Sequence, residues 1–217
     1  MSFYKVFDFL RDLQENNHKA WMDEHRDRYE ESRDFVIDWA NQLVMAIKET
    51  DPDFVVAEGR KAISRINNNL MFHPDKPTYK DNFGVELNLS GGPAGFYIHM
   101  ALSGSFIGGG IHNPDRDQLK KIRQEIDYNG QELEEIVNNV RFKDNFEELN
   151  QDDKLKTAPQ GYSQEHRHIE LLRLNRFAAM TSTTQKEIAA DGFGDHVVSL
   201  YQVLLPLGRF LNKAVDF

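Results

Sequence analysis

The sequence contains no cysteine. That excludes a disulfide framework, a thiolate metal centre and a cysteine nucleophile, and it suits a reducing compartment. No apolar run approaches the roughly 18–20 residues that a membrane-spanning helix needs. The opening, Met1-Ser2-Phe3-Tyr4-Lys5, leads straight into a charged amphipathic pattern. It lacks the basic start, apolar centre and small-residue cleavage site of a secretory signal. Phosphate-loop, nucleophile-elbow and kinase signatures are missing, as is the H-E-x-x-H metal spacing. No internal repeat or low-complexity tract is found. The expectation is a soluble, cytoplasmic protein with no membrane partner.

What is present is a chain of 217 residues, long enough for one domain (1–217) with a substantial core. Its net charge of −9 weighs against whole-surface binding of nucleic acid or anionic lipid. The charge is uneven. Residues 1–58 carry 7 basic and 14 acidic side chains, residues 60–123 carry 9 and 5, and residues 127–153 carry 2 and 9. A basic middle between acidic flanks serves either a local anion site or charge pairing within the fold.

The flanks read as helix and the middle as strand. Phe3, Val6, Phe7, Leu10 and Leu13 recur at helical steps, and Asn16-Asn17 breaks the pattern. A long second helix is expected from Ala20 to Lys48, its buried stripe including Trp21, Tyr29, Val36, Leu43 and Ile47. Asp51-Pro52-Asp53 ends it. Ala62–Ile66 reads as short and β-like. Phe83–Leu89 and Phe96–Leu102 alternate with period two around the Gly91–Gly95 turn, which predicts an antiparallel hairpin. Ser105–Ile107 is expected as a third strand before a glycine turn, Gly108–Gly110. Asn113 and Pro114 suit a helix start, with Leu119, Ile122 and Ile126 on its apolar face and a second short helix after Gly130. Residues 141–168 read as irregular, and Leu171–Met180 fits strand or helix. Thr184 and Glu187 form a possible capping box. A last helix runs from Gly194 to Val215, kinked at Pro206. This order predicts an α+β fold, a central antiparallel β-meander packed against N-terminal and C-terminal helices.

Three stretches carry candidate chemistry. Residues 65–80 mix basic, amide and aromatic groups in a loop. Arg65, Lys76 and Lys80 suit a phosphate or carboxylate, and Tyr79 lies among them. The alternative is a packed loop anchored by Phe72 and Tyr79. In the stretch Gly104–Pro114, which includes His112 and Asn113, the glycines Gly108, Gly109 and Gly110 expose backbone N–H groups ahead of a helix start, which suits an anion, although Pro114 removes one donor. The alternative is a tight turn that lets strands approach closely. The histidines His73, His99, His112, His166 and His168 show no metal-ligand spacing, and no metal site is assigned.

Asp75-Lys76 with Tyr79-Lys80, Gly95–His99 running on to Gly104–Gly110, and Lys154–Lys156 with Pro159, Gly161-Tyr162, His166 and Leu172–Leu174 occur in this order. Together with Phe9-Leu10, Asn16-Asn17, Trp21, Arg28-Tyr29 and the Pro206–Leu211 ending, this combination resembles a widespread bacterial family catalogued as domain of unknown function 2461. The resemblance covers nearly the whole chain. It implies one cytoplasmic α+β domain and no assigned reaction. The chain departs from the family pattern at Asn68 and Met71, where basic residues are expected before Phe72.

The functional expectation is a site for a small anionic or phosphate-bearing ligand built from Arg65, Lys76, Tyr79, Lys80, His99, the Gly108–Gly110 segment and Arg173. Two alternatives stand beside it. One is a hydrolase using His99 or His166 as general base. The other is a non-catalytic module that binds protein or nucleic acid through the basic loop. No cofactor is indicated.

Overall fold

The computed structural model describes residues 1–55 and 59–216. Helix α1 (Phe3–Glu15) buries Phe3, Val6, Phe7, Phe9, Leu10 and Leu13, the face set by its apolar spacing. The expected single helix over residues 20–48 is two helices, α2 (Lys19–Glu24) and α3 (Arg26–Thr50). The break is His25, at φ −109° and ψ 23°. Its ring stacks on Trp21 with centroids 4.2 Å apart, and its Nδ1 lies 2.9 Å from the Trp21 carbonyl oxygen. This local bond offers the backbone an alternative to continuing the helix. Helix α3 buries Tyr29, Val36, Ala40, Leu43 and Ile47, and Asp51 ends it.

After a one-turn helix α4 (Gly59–Ala62) come strands β1 (Asn82–Asn88), β2 (Gly95–Ala101) and β3 (Phe106–Ile111), an antiparallel meander. The Ala62–Ile66 stretch makes only one bridge, Ile63 to Val85, so it is no strand. The chain leaves through α5 (Arg116–Asn138), α6 (Val140–Phe146) and α7 (Ile169–Leu172), and returns as β4 (Phe177–Ser182) beside β3. The last elements are α8 (Gln185–Ile188) and α9 (Phe193–Val215), which runs on through Pro206. The sheet order is β1-β2-β3-β4 with helices around it, the α+β arrangement expected.

Several local expectations change. Gly108–Gly110 lie inside β3, between two ladders, and not in a turn. An interior strand spends its N–H groups on its neighbours, so the glycine backbone is no phosphate cradle. The cap of α5 is Asp115, two residues later than expected. Its carboxylate accepts from the N–H groups of Asp117 and Gln118 at 2.9 and 2.8 Å, and the Gln118 side chain bonds back to the Asp115 N–H. The expected second helix after Gly130 is the last part of α5, beyond a kink at Asn129. Residues 140–146 are helical, and residues 171–180 divide between α7 and β4. The Thr184–Glu187 capping box is formed.

One face of the sheet is core. Phe83, Val85, Leu87, Phe96, Ile98, Met100, Ile107, Ile111 and Phe177 are buried there. Helix α9 packs so close to it that a methyl on Gly208 would fall 2.5 Å from Leu89 Cβ. Polar clamps fix the β1–β2 turn to α9. Asn212 accepts from the Ala94 N–H at 2.9 Å and donates to the Leu89 carbonyl at 2.6 Å. The Tyr201 hydroxyl donates to the fully buried Asp51 at 2.7 Å and accepts from the Ser90 N–H at 3.1 Å. Arg209 completes the pairing of Asp51 at 3.2 Å.

Candidate functional site

With α9 covering one face, the other face of the sheet carries few large side chains. The registers set its rows: Gly84, His99, Phe106 and Ser182; then Glu86, Tyr97, Gly108 and Met180; then Asn88, Gly95, Gly110 and Ala178. Gly95, Gly108, Gly110 and Ala178 leave a trough of backbone across three strands. Tyr97, Phe106 and Met180 wall it, and Pro93, His112, Asn113 and Gln118 close the end where β3 leads to α5. The groove is open to solvent and has a volume of about 590 Å³, within the range of small-molecule sites. Tyr97 packs on Phe106 at 5.8 Å. Burial, followed by the charge of Glu86, pushes the Tyr97 phenol up.

The closed end is a cluster of donors. Arg176 donates to His112 Nε2 at 2.7 Å and to Asn113 Oδ1 at 3.2 Å. Arginine has no acceptor, so the atoms facing it are acceptors, and neutral His112 carries its proton on Nδ1. Gln118 Oε1 likewise accepts from the Asp115 N–H at 3.0 Å. Each of the three side chains has its acceptor atom occupied. His112 Nδ1–H and the amide NH₂ groups of Asn113 and Gln118 have no partner among the described residues. The charge of Arg176 is balanced by Asp153, which it meets through Nε at 3.2 Å and Nη2 at 2.7 Å. At this end of the groove three lining side chains carry N–H groups without a protein partner among the described residues, while each of their acceptor atoms already receives a hydrogen bond. Glu86, on β1, is the one carboxylate in the lining.

The residues singled out in the sequence divide into groups. Gly108, Gly109 and Gly110 belong to the groove, but as strand. His99 is one row away, its ring stacked on Phe106 at 5.1 Å, and burial pushes its pKa down, partly offset by Asp81. Arg65, Lys76 and Lys80 sit together on the segment before β1 and do not line the groove. Burial first, then the charges of Arg65 and Lys76, push Lys80 down. The Tyr79 ring is buried, and its N–H and carbonyl pair with the Asn17 side chain at 2.8 and 2.9 Å. Arg173 lies elsewhere, at the end of α7, donating to the Leu155 carbonyl and to Glu170.

His166 and His168 meet carboxylates on α5. His166 Nε2 lies 2.9 Å from Asp127, and its Nδ1 accepts from the His168 N–H at 3.1 Å. Both ring nitrogens are therefore engaged within the protein. His168 is buried against Gly130, with Nδ1 2.8 Å from Glu134. Among the described residues no three His, Cys, Asp or Glu side chains are grouped to hold a metal ion. No helix is long and apolar enough to cross a membrane.

His112, Asn113, Gln118, Gly95 and Arg176 were outside the sequence-based site. His112 and Asn113 stood in the Gly104–Pro114 candidate stretch, but the role of Asn113 depends on an arginine 63 residues later. A family model described as a conserved hypothetical protein (DUF2461) matches residues 5–210. No curated protein and no solved structure matches the chain.

Proposed function

The chain belongs to this DUF2461 family, and on that premise we propose that it binds a small molecule with an anionic or acceptor-rich head group and a flat, largely apolar body. The head group sits at the donor end, against His112, Asn113 and Gln118. The body lies on the bare backbone of Gly95, Gly108 and Gly110, between Tyr97, Phe106 and Met180. The observation that carries this reading is the donor cluster: three neighbouring side chains have acceptors engaged and N–H groups free. Such groups are satisfied by water until a carboxylate, phosphate or carbonyl displaces it. This reading retains the anionic ligand and the Gly108–Gly110 segment of the site expected from the sequence, and leaves out Arg65, Lys76, Tyr79, Lys80, His99 and Arg173, which do not line the groove.

Gly95 adds support. A glycine inside a strand costs about 0.5–1 kcal/mol relative to alanine. Yet a methyl here would meet nothing nearer than the Leu87 carbonyl oxygen at 3.8 Å. The fold has room for a side chain at this position, and its absence keeps the floor of the groove open.

The test is a thermal-shift screen against carboxylates, sugar phosphates, nucleotides and aromatic acids. A ligand of the native state raises the melting temperature by mass action. The expected result is a shift by an anionic, partly apolar compound that is lost in Gly95→Val, whose side chain fills the trough. A shift that persists undiminished in Gly95→Val places the ligand elsewhere and refutes the assignment.

A further inference from the structure

The segment between α4 and β1 ends in an apolar tip that nothing in the fold covers. Its two arms are hydrogen-bonded to each other. Asn67 pairs with Tyr79, the Asn68 N–H donates to the Thr78 carbonyl at 3.1 Å, and the Lys80 N–H donates to Ile66 at 2.7 Å. Both backbone groups of Tyr79 are held by Asn17 at the base. The tip is a turn, closed by the His73 N–H on the Asn69 carbonyl at 3.0 Å. On it Leu70, Met71 and Phe72 are 39%, 85% and 73% exposed. Scattered apolar residues on a surface need no explanation, but three in succession on the end of a braced loop point to a partner.

The charge around the tip selects the partner. Arg65, Lys76 and Lys80 flank it, and Asp75 is the one acid between residues 65 and 80, a local net of +2 on a chain of −9. Among the described residues none of the three cations is in an ion pair. We infer that this loop is an interfacial anchor for anionic lipid: Leu70, Met71 and Phe72 enter the head-group region while Arg65, Lys76 and Lys80 meet lipid phosphates. Apolar burial and a basic patch are each weak alone and act together at a bilayer surface. Phe72 is the one ring among these three residues, and Leu70 and Met71 have none to stack on a base, which favours lipid over nucleic acid. The overall negative charge does not forbid the contact, because screening over about 8 Å leaves the local charge in control.

The test is co-sedimentation of the full chain with vesicles of phosphatidylcholine alone, or with about a third of it replaced by phosphatidylserine. The expected result is pelleting with the anionic vesicles only. Partition falls about tenfold or more in Met71→Ser/Phe72→Ser and in Arg65→Glu/Lys76→Glu, since each removes one of two required signals. These exposed changes leave the melting temperature within a few degrees of the parent. Absence of pelleting, or variants that pellet like the parent, overturns the inference. So does a parent dimer that becomes a monomer in Met71→Ser/Phe72→Ser, which assigns the tip to a second copy. Retention of an oligonucleotide by the parent without vesicle binding overturns it in favour of nucleic acid.

Discussion

Gly95 and Gly110 face each other across the β2–β3 ladder, and both leave the groove floor bare, but for different reasons. A methyl built on Gly95 meets only the Leu87 and Gly110 carbonyl oxygens, at 3.8 and 3.9 Å, ordinary van der Waals contact. A methyl on Gly110 runs into the Phe177 carbonyl oxygen and comes within 2.8 Å of Ala178 Cα, on a residue whose φ is +121°. Gly95→Ala is therefore expected to stabilise by ~0.5–1 kcal/mol, because alanine leaves less backbone freedom to lose on folding. Gly110→Ala carries ~1–3 kcal/mol for the glycine-only conformation, plus the displacement of β4. For a chain of this size each kcal/mol moves the melting temperature by about 2–4 °C. Gly95→Ala should thus melt ~1–4 °C higher than the parent, and Gly110→Ala at least ~2–12 °C lower. Urea titration monitored by tryptophan fluorescence gives both free energies. A destabilised Gly95→Ala would show that this glycine is needed by the fold and remove its support for the groove. A neutral Gly110→Ala would refute the steric argument for β3.

Tyr201→Phe should cost about 2–4 kcal/mol in urea unfolding, because it strips the fully buried Asp51 of a charge-assisted hydrogen bond and leaves the Ser90 N–H without its acceptor; a cost under ~0.5 kcal/mol would refute the clamp. His99 gives a pH dependence. Burial lowers its pKa in the folded state, so the unfolded chain holds this proton more tightly. Its contribution is favourable above the unfolded value of about 6.5 and is lost as pH falls through that value, levelling off below the depressed folded one. The slope of melting temperature against pH between about 5 and 7 should flatten in His99→Gln, and an unchanged slope would contradict the assignment.

Much of the fold was legible because it rests on short-range periodicity. The alternation in Phe83–Leu89 and Phe96–Met100 separates the core face from the open face, and the registers pair them as a hairpin. The Thr184–Glu187 box caps α8. Gly108–Gly110 misled because glycine is common in turns. They form a strand for tertiary reasons: a methyl on Gly109 would press Leu204 and Leu89 at 3.1 Å, and one on Gly108 would meet the Ala179 carbonyl oxygen at 2.6 Å. The break at His25 depends on a ring stacking back on Trp21, which helical periodicity does not encode. The candidate site was half legible. The glycine segment lines the groove and His99 stands one row outside it, whereas charge alone joined Arg65, Lys80 and Arg173, which the fold places apart from the groove. The donors at its end could not be read locally, because Arg176 turns His112 and Asn113 outward from 64 and 63 residues away.

Gln118→Glu tests the donor end most directly. The carboxylate still accepts from the Asp115 N–H, so the capping box survives, and a charge in the first turn of α5 adds ~0.3–1 kcal/mol of stability. The free NH₂ group, however, becomes an anionic acceptor facing the ligand's head group. Calorimetric titration of a ligand found in the screen should show affinity reduced about tenfold or more in this variant, with the melting temperature of the free protein unchanged or raised. Equal or tighter binding by Gln118→Glu would contradict an anion-accepting groove.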